Sequence, residues 1–149
     1  MSAFEKLKNN LTLHLLSSLE KLFFKLEKSE EYWWGGVFLF RKNDRYFNFI
    51  KNRIYFKIVY DTLHTQLTIE LGPFSGTSYG FPYELFLQAA DYNLAEYKYA
   101  CGFWDKGGLW VGDMPKAFGI VAETLPHILQ NYKKLIGEVK RISKTTPAS

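Results

Sequence analysis

Between Ile54 and Leu71 apolar residues recur at every second position, in two runs. Ile54, Phe56, Ile58 and Tyr60 alternate with Tyr55, Lys57 and Val59; Leu67, Ile69 and Leu71 alternate with Gln66, Thr68 and Glu70. Successive side chains of a strand point to opposite faces, so each run is a strand with one dry side. A sheet of this kind has to be covered by another layer. With Asp61-Thr62-Leu63-His64 as the hairpin loop, Ile58 falls opposite Leu67, Phe56 opposite Ile69 and Ile54 opposite Leu71. Lys57 then faces Thr68, with Glu70 on the diagonal. Upstream, Val37–Phe40 and Tyr46–Ile50 flank the polar Arg41-Lys42-Asn43-Asp44-Arg45, which suits a second hairpin.

Two amphipathic stretches supply the cover. Phe4, Leu7, Leu11, Leu15, Leu19, Leu22 and Leu26 recur at every third or fourth position and predict one helix across that span. Leu13, Leu16 and Phe24 lie off this stripe and either widen the buried face, the favoured reading, or leave apolar surface for another chain. Leu125, Ile128, Leu129, Tyr132, Leu135, Ile136, Val139 and Ile142 predict another, with Thr124 as cap and Pro126 in the first turn. Between these lie a short helix opened by Phe81-Pro82 and running to about Tyr92, and a segment in which Tyr97–Trp104 and Leu109–Val111 flank Asp105-Lys106-Gly107-Gly108, read as an aromatic hairpin or as an aromatic loop that packs back on the domain. The expected fold class is α+β: two layers, an antiparallel meander of about four strands or more packed against long N- and C-terminal helices. It forms one domain over residues 1–142, with 143–149 as a frayed tail. A chain of 149 residues is long enough for a core that needs neither metal nor disulfide.

The net charge of +4 conceals a segregated pattern. Residues 41–57 hold Arg41, Lys42, Arg45, Lys51, Arg53 and Lys57 against Asp44 alone, a basic block. Residues 61–123 form an acidic one, with Asp61, Glu70, Glu84, Asp91, Glu96, Asp105, Asp113 and Glu123 against Lys98, Lys106 and Lys116. The C-terminal cations, Lys133, Lys134, Lys140, Arg141 and Lys144, suit the negative end of a helix dipole. A single cysteine, Cys101, cannot form an intramolecular bridge and suits a reducing compartment, so the cytoplasm is the expected location. No secretory or membrane-spanning apolar stretch is read in the N-terminal region.

Catalytic and cofactor signatures are missing. His14, His64 and His127 lie far apart in sequence, with no metal-ligand spacing around them, so neither a metal nor a cofactor is expected. Cys101 reads as a packed thiol unless the fold brings His64 or His127 to it. In Gly72-Pro73-Phe74-Ser75-Gly76 the serine is offset from the spacing of a nucleophile elbow, and the glycines of residues 102–112 match no phosphate-binding loop.

The segment from Arg53 to Pro73, with a strand ending Tyr60-Asp61 and another ending Leu71-Gly72, is followed by Pro82-Tyr-Glu-Leu-Phe-Leu-Gln-Ala-Ala-Asp91 and a closing amphipathic helix. In layout this resembles small bacterial proteins of the toxin-immunity type. The resemblance implies a non-enzymatic protein-binding module that neutralises a cognate toxin, a basic nuclease domain for example, by surface complementarity. The contacts it implies are Asp61, Glu84, Asp91, Asp105 and Asp113, with Trp104 and Trp110 as aromatic anchors. The alternative is a small-ligand or single-stranded nucleic-acid binder. Arg41, Lys42, Arg45, Tyr46, Tyr55 and Lys57 would give a basic, stacking sheet face for nucleic acid. Trp33, Trp34, Trp104, Trp110, Tyr79 and Tyr99 gathered in a pocket would favour a small ligand, whereas exposed placement on an acidic face would favour a protein.

Overall fold

A computed structural model describes residues 2–43, 53–63, 66–73, 80–101 and 113–145. Its first element, α1 (Ala3–His14), is capped by Ser2, whose side chain accepts from the Glu5 N–H at 3.1 Å. After a distortion at Leu15 the helix resumes as α2 (Leu16–Lys21). Leu7, Leu11, Leu15 and Leu19 form the buried stripe, as their spacing predicts. Leu13 does not widen it: that side chain is 76% exposed.

The helix does not continue to Leu26. Phe23 takes a left-handed backbone (φ 69°), the Phe24 N–H returns to Leu19 O and the Phe23 N–H to Glu20 O. This pair of bonds satisfies the last carbonyls and ends the helix. A glycine normally occupies the left-handed position, and its absence here hides the stop. Phe24 is buried beneath the sheet, and Leu26 lies on a strand, 53% exposed.

Five strands follow among the described residues: β1 (Lys25–Tyr32), β2 (Gly35–Asn43), β3 (Arg53–Asp61), β4 (Gln66–Gly72) and the short β5 (Phe81–Pro82). They form one antiparallel sheet in sequential order. The neighbours of β2 are β1 and β3; the run Tyr46–Ile50, expected as its hairpin partner, lies outside the described residues. The register of β3 on β4 is shifted by two from the expected one: Phe56 faces Leu71, Ile58 faces Ile69 and Lys57 faces Glu70. Asp61 is the last residue of β3, opposite Gln66, and the turn begins at Thr62. A shift of two preserves which face is dry, so Phe38, Phe40, Phe56, Ile58, Leu67, Ile69 and Leu71 are all buried.

The helical cover continues with α3 (Tyr83–Ala89), α4 (Ala95–Cys101), α5 (Met114–Gln130) and α6 (Tyr132–Thr145). The fold is α+β, with α1 on β2 and β3, α3 and α4 on β4, α5 on α1, α3 and α4, and α6 on α3 and α5. Pro82 is the N-cap of α3 rather than a residue of its first turn, and the helix stops at Ala89, before Tyr92. Residues 95–101 are helical rather than extended: Tyr97, Ala100 and Cys101 bury one helical face, and Asn93 Oδ1 accepts from the Ala95 N–H at 3.0 Å. The remainder of the expected aromatic hairpin lies outside the described residues.

The stripe from Leu125 to Ile142 is not one helix: α5 begins well before Thr124 and ends at Gln130, and α6 takes over after Asn131. Asp113 Oδ1 accepts from the Lys116 N–H at 3.0 Å, Pro115 occupies the first turn, and Pro126 lies inside α5. Thr124 is no cap. Its hydroxyl donates to Ile120 O at 2.8 Å and pairs with the buried Tyr83 hydroxyl at 2.6 Å. By contrast, the buried Tyr132 hydroxyl has no hydrogen-bond partner among the described residues. Burial raises the pKa of both phenols, so both stay neutral. Tyr83→Phe is therefore expected to cost about 1 kcal/mol, and Tyr132→Phe to leave stability unchanged or raise it slightly. Urea unfolding of the two variants beside the parent checks this; equal losses would contradict it.

Candidate functional site

The turns joining β1 to β2 and β3 to β4 meet at one end of the sheet. Trp34 O accepts two hydrogen bonds there, from the Thr62 N–H at 2.8 Å and from the Thr62 hydroxyl at 2.6 Å. Asp61 Oδ1 accepts from the Leu63 N–H at 2.9 Å, which shapes the second turn. The Tyr32 and Trp34 rings stack at 4.8 Å with 5° between their planes, and the Tyr32 hydroxyl donates to the Glu30 carboxylate. These bonds tie Trp34 to Thr62 and fix the described start of the second turn. Trp33, at the summit, is 83% exposed, with Leu63 53% exposed on the neighbouring turn. Glu30, Glu31 and Asp61 give this end an acidic surround, although Lys28 pairs with Glu30 at 2.9 Å. Gly36 leaves space for the α1 residue Phe4, which stacks on Phe38 at 5.3 Å: a Cβ at Gly36 would stand 2.5 Å from the Phe4 ring.

The described acidic residues expected to form a contact surface each have a role in local structure. Asp61 shapes its turn and Asp113 caps α5. Asp91 adopts the left-handed backbone (φ 63°) that ends α3, with the Asp91 N–H on Gln88 O and the Tyr92 N–H on Leu87 O. Glu84 is half-buried in the first turn of α3, where an acidic side chain suits the helix dipole. Trp104, Asp105 and Trp110 lie outside the described residues, as do Tyr79 and the side chain of Tyr99. Sequence reasoning did weigh Trp33 and Trp34, but as pocket walls; the Trp33 side chain stands in solvent.

The basic set is gathered in part. Arg41, Tyr55 and Lys57 share the sheet face turned from the helices, where Arg41 meets Glu27 at 3.4 Å and Lys57 is cross-strand from Glu70. Glu70 has its pKa raised by partial burial, an effect that Lys57 opposes. Lys42 leans over the Phe23 ring at 6.0 Å. Arg45 and Tyr46 lie outside the described residues.

Cys101 is buried against Tyr97, and burial pushes its thiol pKa up to about 11, so at neutral pH it is protonated and a poor nucleophile. His127 packs edge-on against Tyr92 at 6.1 Å, and His64 lies outside the described residues. Among the described residues, no three of His, Cys, Asp and Glu gather as a metal site, and no helix is long and apolar enough to cross a membrane. Comparison of the chain with protein-family models, with curated proteins and with solved structures yields no match.

Proposed function

We propose that the protein is a non-enzymatic binding module whose partner is another protein, and that the paired turns around Trp33 are its contact surface. The observation that carries this reading is an indole held 83% in solvent beside the bonds that tie Trp34 to Thr62. A tryptophan brings 150–250 Å² of contact surface on few rotatable bonds, and such side chains concentrate binding energy at interfaces. Leu63 extends the apolar patch, and Glu30, Glu31 and Asp61 give it a rim suited to a basic partner. A toxin domain that attacks nucleic acid has that chemistry, and inhibition by occlusion needs no reaction centre. The nucleic-acid alternative has weaker support, because Lys28, Arg41 and Lys57 of the open sheet face stand beside Glu30, Glu27 and Glu70.

A photo-crosslinking amino acid at position 63 in the native host would identify the partner. Its affinity is then measured for the parent, Trp33→Ala, Glu31→Lys and the remote control Lys140→Ala. Trp33→Ala is expected to weaken binding about 30-fold, roughly 2 kcal/mol. Glu31→Lys should slow association at low salt, and the melting temperature should not move in either variant. Equal affinities for Trp33→Ala and Lys140→Ala would overturn the proposal.

A further inference from the structure

The two edges of the sheet are unlike each other. The outer edge of β1 carries Lys25, Glu27, Lys28, Glu30 and Glu31, and its ladder is broken by a bulge between Leu26 and Lys28. Charges and bulges of this kind discourage pairing with another strand. At the opposite edge, β5 covers only Glu70 and Leu71, through Pro82 and Phe81, and Pro82 has no N–H to donate. Among the described residues no strand pairs with the rest of that edge, Gln66-Leu67-Thr68-Ile69, which is uncharged and rich in β-formers.

A cavity of about 150 Å³ lies beside this half-edge. It touches all four consecutive residues from Gln66 to Ile69. Because successive side chains point to opposite faces, a space that meets all four runs along the edge of the strand. Its apolar lining includes Leu67, Ile69, Tyr97 and Cys101, all buried. Glu84 and Lys98 add one charge of each sign, so an occupant needs no net charge. The volume suits a single leucine- or phenylalanine-sized group, whereas sites for whole small molecules run to several hundred Å³.

We propose that this half-edge is a strand-addition site: an extended segment of a partner protein pairs with Gln66–Ile69, end to end with β5, and inserts one apolar side chain into the cavity. Backbone hydrogen bonds supply affinity in such pairing, and the side-chain pocket supplies selectivity. This site is independent of the Trp33 surface.

The test pans a phage-displayed library of random octapeptides against the full chain, then follows amide exchange with the best peptide added. Enriched sequences are expected to share one apolar residue among β-branched neighbours and to slow exchange within Gln66–Ile69 at least tenfold. N-methylation of alternate peptide nitrogens should weaken binding at least tenfold, as should aspartate in place of the apolar residue, and Trp33→Ala should not alter it. No enrichment over bare support, or enriched peptides that tolerate N-methylation and leave these amides unprotected, would overturn the proposal.

Discussion

Gly35→Ala is expected to destabilise the protein by about 3 kcal/mol or more and to disorganise the Trp33 turn. Gly35 opens β2 opposite Asp61 with φ +150°, a conformation that residues with a side chain rarely adopt. A Cβ there would stand 1.9 Å from the backbone oxygen of Tyr60. Backbone on both sides leaves no flexible group to give way, so the ends of β2 and β3 would have to separate. That separation would also pull Trp34 from Thr62, so binding through Trp33 should weaken together with stability. Urea unfolding followed by Trp fluorescence measures the first effect, and Gly137→Ala is the control. Gly137 is helical with nothing near its would-be Cβ, so alanine there should be neutral or stabilise by up to about 1 kcal/mol. Equal midpoints for the Gly35 variant and the parent would refute the steric account.

The other large effect belongs to Phe56. It is fully buried at the centre of the dry face, with ring centroids 6.1 Å from Phe24, 6.5 Å from Phe40 and 6.4 Å from Tyr83. It therefore joins the chain after α2, the neighbouring strand and α3. Truncation to alanine removes its dispersion contacts and leaves a cavity that three aromatic walls cannot readily close, an expected cost of about 3–5 kcal/mol. Phe56→Leu keeps most of the volume and should cost about 1.5 kcal/mol or less. A lower urea midpoint at unchanged slope for Phe56→Ala, with Phe56→Leu between it and the parent, is the expected result. Equal losses from the two would mean that ring geometry, and not volume, dominates.

The readable parts of the sequence were those in which one physical rule acted alone. Alternation from Ile54 to Leu71 sorted dry from wet positions correctly even though the register was off by two, since a two-residue slip keeps every side chain on its face. The misreadings came where two rules competed. Asp113 and Pro115 start α5, but Thr124 and Pro126 carry the same signals and predict a later start. In residues 97–101 aromatic alternation imitates a strand, while Tyr97, Ala100 and Cys101 fit a helix equally well. The candidate site was legible only in part: Trp33 reads in the sequence as a pocket wall, and the fold stands it in solvent, while Trp104 and Trp110, the anchors the resemblance implies, lie outside the described residues.

Periodicity by itself determined the two materials of this protein, a half-dry antiparallel meander and leucine-striped helices to cover it, because burial demands matching spacings wherever an element has one wet side. The tertiary structure alone decided where those elements stop and what remains uncovered. The left-handed turns at Phe23 and Asp91 contain no glycine, and buried neighbours on either side fix them: Leu19 and Phe24 at the first, Leu87 at the second. The exposure of Trp33 likewise depends on Thr62, distant in sequence, bonding to Trp34 and bringing two turns together. A local pattern encodes which side of an element is apolar; only contacts between distant segments determine whether that side is covered.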